Sequence, residues 1–501
     1  MTTQTQPTAS IWSRDYFGAQ LEKALLTPVR AFRIEYLPLL MVYFAYGALG
    51  ITAIAESFWV KKSLTLSASE LAALGVWLTL PWTIKMVFGE LVDTVTVMGS
   101  QRRAYVYIGA SLVAAGLLML AMTAAGRLPR FAPESTYQIA KLLLTIGVVL
   151  QDVVADAMTT EVVARENPDG TPRDKADVDR DLGMIQVLGR LALSIGAFLT
   201  AGIGGWLASI LPYSTVFLLA LIVPMISASG AALVHIAPVE QRPIDWRILG
   251  GGIAFGAFVL LMAFGNVPYN QEIVFVVSMT VVIWMLRHVI GELDAETQRK
   301  IAVAALIIFV FRATPGVGVS FSWFMIDVLG FDESFQGMLG QIGTGFALLG
   351  MWLFADAITR QPVARVLLWL TIVTSVLGLP TLGLTFGLHH WTERNLGFGA
   401  HGIALIDAAA SSPFAELSMI PMLALIAIYA PAGRRASWFA LMASLMNLAT
   451  VAGSLGTKYL NDIFVVPRGD YTHLSALTAV AMLIGFVAPV VAIAMFGRRL
   501  R

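Results

Sequence analysis

Residues 147–165 read GVVLQDVVADAMTTEVVAR. Valine, leucine and alanine carry the stretch, and it lies within a longer apolar run over 137–163, enough for a helix to cross a bilayer. Asp152 and Asp156 interrupt it four residues apart, so on a helix they share one face. A charged side chain at the bilayer centre costs roughly 2.5–3.5 kcal/mol on insertion scales, and it is tolerated where it faces a bundle interior or a wet cavity. Two carboxylates this close disfavour double ionisation, which suits a proton-carrying site. The alternative is a pair neutralised by structural arginines. Gln151, Thr159 and Thr160 belong to the same segment, and Glu161, near its end, reads as part of a loop ion-pair network.

Similar apolar runs fill most of the 501 residues, of which 57% are hydrophobic and 13% charged. Helical spans are expected near 36–59, 70–91, 104–125, 137–163, 181–208 and 212–236, then near 248–267 and 272–291. Six more are expected near 301–328, 333–356, 363–387, 402–430, 436–462 and 472–497. The runs are too long and too uniformly apolar for barrel strands. The organisation is therefore an N-terminal segment 1–35, a six-helix bundle 36–236, a linker with two additional spans 237–300, and a second six-helix bundle with a short tail 301–501. Residues 11–34 mix apolar and basic groups and read as an amphipathic helix on the membrane surface.

Loop charges orient the spans. With residue 1 in the cytoplasm, Arg102, Arg103, Arg165, Arg173, Arg299 and Arg434 fall inside. The outside loops hold only Lys61, Lys62, Arg127, Arg130, Arg394 and Arg468, with Lys458 near a span end. That is the positive-inside bias, and it predicts that both termini are cytoplasmic; a bacterial inner membrane is the expected location. A net charge of +1 and no basic tail give no sign of nucleic-acid binding, and zero cysteines exclude disulfides and thiolate chemistry. No nucleophile, phosphate-loop, dinucleotide or metal pattern stands out; His389, His390 and His401 fall in or beside a loop. An enzyme and a cofactor are not expected.

The remaining intramembrane charges are the candidates for function. Arg190 lies in QVLGRLALSIGAF and needs a partner, Asp152 or Asp156, or else an anionic substrate. Arg312 opens FRATPGVGVSFSWF, where Pro315, Gly316 and Gly318 loosen the helix and free backbone groups that are tolerated where they line a cavity. Phe321, Trp323 and Phe324 follow, aromatic faces suited to a flat ring; an ordinary proline kink with core aromatics is the other reading. Asp407 and Glu416 occupy the position in the second half that corresponds to the Asp152 region, as a pseudo-twofold site would show; a helix-end or interfacial role is the other reading. Glu56 reads as interfacial, and Lys85 as snorkelling to the inner face or pairing with Glu90. After the second span, GELVD and then GSQRR form a turn in which Gly89 lets helices approach, Asp93 pairs with an arginine, and Arg102 and Arg103 anchor the loop as a gating latch. A fainter copy, Gly350, Asp356, Arg360 and Arg365, suggests parallel halves.

Four segments also resemble one known family. They are LPWTIKMVFGELVDTVTVMGSQRRAY at 80–105, LQDVVADAMTTEVVAR at 150–165, FRATPGVGVSFSWFMIDVLGFDESFQGMLG at 311–340 and APAGRRASWFALMASLMNLATVAGSLG at 430–456. They look like the folate–biopterin transporter family of the major facilitator superfamily. The resemblance implies an all-helical transporter with alternating access, moving folate- or pterin-like anions, coupled to protons. By position it puts Asp152, Asp156, Arg190 and Arg312 in the family's charged membrane segments. Charge placement and the resemblance together give the expectation of substrate contacts at Arg190, Arg312, Phe321, Trp323, Phe324 and Asp407, and proton exchange at Asp152 and Asp156. The competing expectations are transport of another organic anion or drug-like compound, and a transporter-derived assembly protein.

Overall fold

In hydrocarbon every backbone donor and acceptor must be satisfied within the chain, which leaves the long apolar runs only the helix. The computed structural model describes residues 32–497, with Gly18 and Arg30, except 98, 101, 168, 170, 234–243, 266, 292–293, 360, 416 and 419–434. The expected surface helix over 11–34, most of the link 237–247, and Glu416 lie largely or wholly outside these residues. Helix α1 (Ile34–Ser63) runs from one face, the proximal face, to the opposite, distal face. It is followed by α2 (Ala68–Thr94), α3 (Arg103–Ala124), α4 (Pro133–Glu161), α5 (Lys175–Ile210) and α6 (Tyr213–Leu233). The inserted pair is α7 (Trp246–Phe264) and α8 (Asn270–Ile290). The second bundle comprises α9 (Ala295–Arg312), α10 (Val319–Asp327), α11 (Glu333–Thr359), α12 (Val363–Thr385), α13 (Leu388–Leu396), α14 (Ala400–Ala415), α15 (Arg435–Ile463) and α16 (Leu474–Phe496).

Among the described residues, eleven helices are long and apolar enough to cross a membrane. Of the other expected spans, 301–328 is broken into α9 and α10, 333–356 lies within α11, and 402–430 begins as α14. The described residues contain isolated bridges at Val97–Ser100 and Glu166–Pro172 but no strand.

Glycine sets how closely the helices approach. A side chain at Gly47 would run into the Leu193 carbonyl of α5, and one at Gly196 into the Phe44 carbonyl of α1. Gly109 and Gly147 do the same between α3 and α4. In the fainter copy of the turn motif, Gly350 sits directly on the Pro413 backbone, joining α11 to α14. Gly89 differs from expectation, because a Cβ there would meet nothing within 4 Å. It is not a close-approach position; two residues earlier, Val87 packs against Gly252 of α7 instead.

The break between α9 and α10 follows from Pro315, which has no N–H, and from Gly318, at φ +72° and ψ −153°, a conformation open essentially to glycine alone. The freed groups are taken up by α15. Gly316 N–H donates to Thr457 Oγ1 at 2.9 Å, and Asn461 Nδ2 donates to the Val317 carbonyl at 3.2 Å. Ser320 in turn donates to Asn461 Oδ1 at 2.7 Å. Polar side chains of α15 thus supply what the expected cavity lining was meant to supply.

The inserted pair touches both bundles. At the proximal end of α7, Asp245 N–H donates to Glu90 Oε1 of α2 at 2.9 Å. At the distal end of α8, Lys458 of α15 donates to Gln271 and Glu272 at 3.0 and 2.9 Å.

Candidate functional site: a lysine-bridged carboxylate pair and a distal closure

The i, i+4 spacing on α4 does place Asp152 and Asp156 on one face, and that face meets α2. Lys85 Nζ donates to Asp152 Oδ2 at 2.5 Å and to Asp156 Oδ2 at 2.6 Å. Tyr43 of α1 donates its hydroxyl to Asp156 Oδ1 at 2.7 Å. The Lys85 reading is thereby corrected: it neither snorkels nor pairs with Glu90, because two carboxylates on the neighbouring helix reach it first. Arg190 of α5 is not the direct partner of the pair, although its charge acts on Asp152, Tyr43 and Tyr46. One ammonium serving two carboxylates leaves a negative charge that the exposed Arg190 guanidinium offsets. Asp152 is 8% exposed and Asp156 43%, so one member of the pair is locked in and the other is open to whatever fills the space beside it.

Surrounding polar groups hold this arrangement. Gln186 of α5 donates to Thr159 Oγ1 at 2.8 Å, and Thr159 donates to the Asp156 carbonyl at 2.6 Å. Gln151 is structural: its amide reaches the Val106 carbonyl and Ser227. Glu56 lies between helices of the first bundle, accepting from Tyr137 at 2.8 Å and from Lys141 at 3.0 Å.

The turn after α2 forms a staple within the first bundle. Arg102, 7% exposed, binds Glu161 of α4 through Nε at 3.0 Å and Nη2 at 2.5 Å. The same Nη2 lies 2.9 Å from Asp93, and Nη1 donates to the Val92 carbonyl at 3.1 Å. Arg103 is tied to the turn through its backbone, its N–H donating to Ser100 Oγ at 3.1 Å.

In the second bundle the expected residues separate. Arg312 Nη2 donates to Thr450 of α15 at 3.3 Å. Asp407 of α14 accepts from Ser411 at 2.9 Å and Thr381 at 3.3 Å and is half-buried. The aromatic trio does not stand together as a stacking platform. Trp323 and Phe324 are 2% and 6% exposed, Phe324 packs edge-on against Tyr471, and the Trp323 face carries the Arg468 guanidinium at 4.3 Å. Only Phe321 is partly open. His389, expected at a loop surface, is buried on α13, while His401 meets Phe331 edge-on and Phe335 at a tilt.

Sequence reasoning missed the distal closure. Lys61 at the end of α1 pairs with Asp327 at the end of α10, and Asp327 also accepts from Tyr471 at 2.5 Å. Lys62 and Tyr213 converge on Glu333 of α11 at 3.2 and 2.6 Å. Arg468 donates to the Leu66 carbonyl at 2.8 Å. Beneath these contacts Gly205 of α5 meets Gly337 of α11 backbone to backbone; a Cβ on either would lie 2.5–2.6 Å from the other's Cα. The Lys61–Asp327 and Lys62–Glu333 ion pairs, which join the two bundles, both lie at this face. Deeper, Ser444 and Asn447 of α15 bond the Thr83 and Trp82 carbonyls of α2 at 2.8 and 3.0 Å. The molecule is shut distally. A signal was available in sequence: Lys61, Lys62 and Arg468 are among the few basic residues on the side the positive-inside rule should leave bare.

Two helical bundles joined face to face, with ionised groups held inside the spans, define a multi-pass membrane transporter. The chain belongs to the BT1 family, whose sequence profile matches residues 47–497. It is 28% identical to the folate-biopterin transporter of Synechocystis sp. over 95% of this chain and 84% of that one. It is 24% identical to the probable folate-biopterin transporter 4 of Arabidopsis thaliana over 89% and 92% of the two chains. In fold it matches a POT family transporter solved with 5-aminolevulinic acid, with a TM-score of 0.65 at 15% identity over 93% and 96% of the two chains. A peptide transporter POT solved with sulfate follows, at TM-score 0.61 and 16% identity, covering 93% and 94%.

Proposed function

We propose that the chain carries folate- or pterin-type anions across the membrane by alternating access, coupled to protons, with Lys85, Asp152 and Asp156 as the coupling centre. The names of its relatives support the cargo. The observation that carries the coupling is Lys85 held between two carboxylates of unequal exposure. A proton taken up by Asp156, the open member, releases one of the ammonium's two partners. The freed donor, with Arg190 beside it, then receives an anionic or hydrogen-bonding group of the cargo. Loss of that proton restores the ion triad and expels the cargo. Arg312 and Asp407 are the charged groups that the second bundle offers to the cargo, with Phe321 as the one accessible ring of its trio. The turn that holds Gly89, Asp93, Arg102 and Arg103 acts as a gating element, with Arg102 making the proximal ends of α2, α3 and α4 move together through Asp93 and Glu161. The positive-inside bias supports cytoplasmic termini, so the distal closure faces outward; a bacterial inner membrane is the proposed location.

Reconstituted protein tests this through uptake of labelled folate with and without an inward proton gradient. Gradient-driven uptake is expected in the wild type, and Asp156→Asn is expected to retain exchange but lose the gradient response. Uptake indifferent to the gradient, and unchanged in Asp156→Asn and Arg312→Ala, overturns the proposal.

A further inference from the structure

Helix α7 leaves the body of the protein within one turn. At Gly252 a side chain would collide with Val87 of α2, whereas four residues on, at Gly256, a Cβ would meet nothing within 4 Å. From there to the distal face the two helices diverge, and a groove with a cavity volume of about 460 Å³ opens between α2, α4 and α7. Its walls are helical stripes: Ala73, Trp77 and Ile84 on α2, Leu142 on α4, Val259 and Ala263 on α7. Polar groups line it at one end only, where Glu70, Gln138 and Gln271 mark the distal mouth. From Glu70 to Ile84 the groove follows fourteen residues of helix, roughly 21 Å at 1.5 Å per residue.

Water is a poor occupant, since ordered water needs two to four polar partners and the walls offer none below the mouth. A whole helix, about 10–12 Å across with its side chains, is wider than a groove of this volume and length. Both walls are membrane-spanning, so the fluid with access is bilayer hydrocarbon. We infer that the groove is a phospholipid site: one acyl chain lies along α2 and α7, and its headgroup rests at the Glu70, Gln138 and Gln271 end. The chain fills the wedge between the inserted pair and the first bundle, supplying contacts that no side chain provides.

The test uses purified full-length protein in lipid nanodiscs doped with a phospholipid carrying a photoactivatable diazirine in one tail, and in parallel with a diazirine fatty acid. Cross-linked peptides are mapped by mass spectrometry. The phospholipid probe is expected to label the α2 and α7 peptides more densely than the other lipid-facing helices. Labelling should fall several-fold in Gly256→Phe, which fills the groove without a backbone clash. Ala263→Phe serves as a second filling variant should the first fold poorly. Labelling that is even around the molecule, or unchanged in both variants, overturns the inference. So does capture of the fatty acid alone, or of a peptide from a second copy of the chain in the groove. Transport is not measured, so the outcome is independent of the coupling proposal.

Discussion

Replacing Asp327 by asparagine should open the distal face. Asp327 is the sole carboxylate described against Lys61, whose side chain is only 10% exposed, and it also accepts from Tyr471. Asparagine removes the charge and leaves an ammonium in the bundle interface without its counter-ion. Truncating one partner of a fully buried pair costs about 3–5 kcal/mol. Asp327 is 31% exposed, so water screens part of that, and about 1–2 kcal/mol is the reasonable share, a factor of roughly 5–30 in the closed-to-open ratio. The native sequence has no cysteine, so Arg130→Cys and Glu393→Cys can be spin-labelled without background, one on each bundle at the distal face. Pulsed dipolar spectroscopy should show a single short-distance population in the otherwise wild-type protein and a growing longer component in Asp327→Asn. Pairing Asp327→Asn with Lys61→Met should recover part of the closed population, since the stranded charge is then gone. An unchanged distance distribution in Asp327→Asn would refute the reasoning, and so would a double variant more open than the single one.

Three other outcomes follow from the same geometry. Lys85→Ala leaves Asp152, 8% exposed, without its ammonium; thermal unfolding should fall by several degrees unless Asp152→Asn is added, and substrate uptake should be lost in both. Arg102→Ala removes contacts to Glu161, Asp93 and the Val92 carbonyl at once, and should cost about 3–5 kcal/mol. Arg102→Lys should rescue it poorly in a thermal-unfolding assay, because lysine cannot reproduce the two-pronged contact. Gly337→Leu places atoms into the Gly205 backbone, so the spin-label distance at the distal face should lengthen even with every ion pair intact.

The membrane spans were legible because hydrocarbon admits so few solutions: long apolar runs, loop charge bias and the Pro315 to Gly318 interruption each have one structural meaning. The two aspartates were legible for the same reason, since helical periodicity alone puts residues 152 and 156 on one face. Their partner was not. Lys85 lies 67 positions from Asp152, and nothing in the spacing of one helix says which residue of another it will face. Tyr43, the donor to Asp156, carries no sequence signal at all. The aromatic trio misled because Phe321, Trp323 and Phe324 sit on a short helix whose inner face is already core, so proximity in sequence to Arg312 did not become proximity to a cavity. Gly89 misled in the same way: a motif glycine suggested tight packing, while the contact lay at Gly252 and Val87.

The inserted pair is fastened at opposite ends to different bodies. Its first helix is held to α2 through Glu90 near the proximal face, and its second to α15 through Lys458 near the distal one. If the bundles rotate about the Gly205 and Gly337 contact, these two anchors travel in different directions, and the short distal connection between α7 and α8, with Tyr269 at φ +56°, has to absorb the mismatch. In such a rotation the pair would act as an elastic strap across the transporter's flank, its stiffness limiting the stroke.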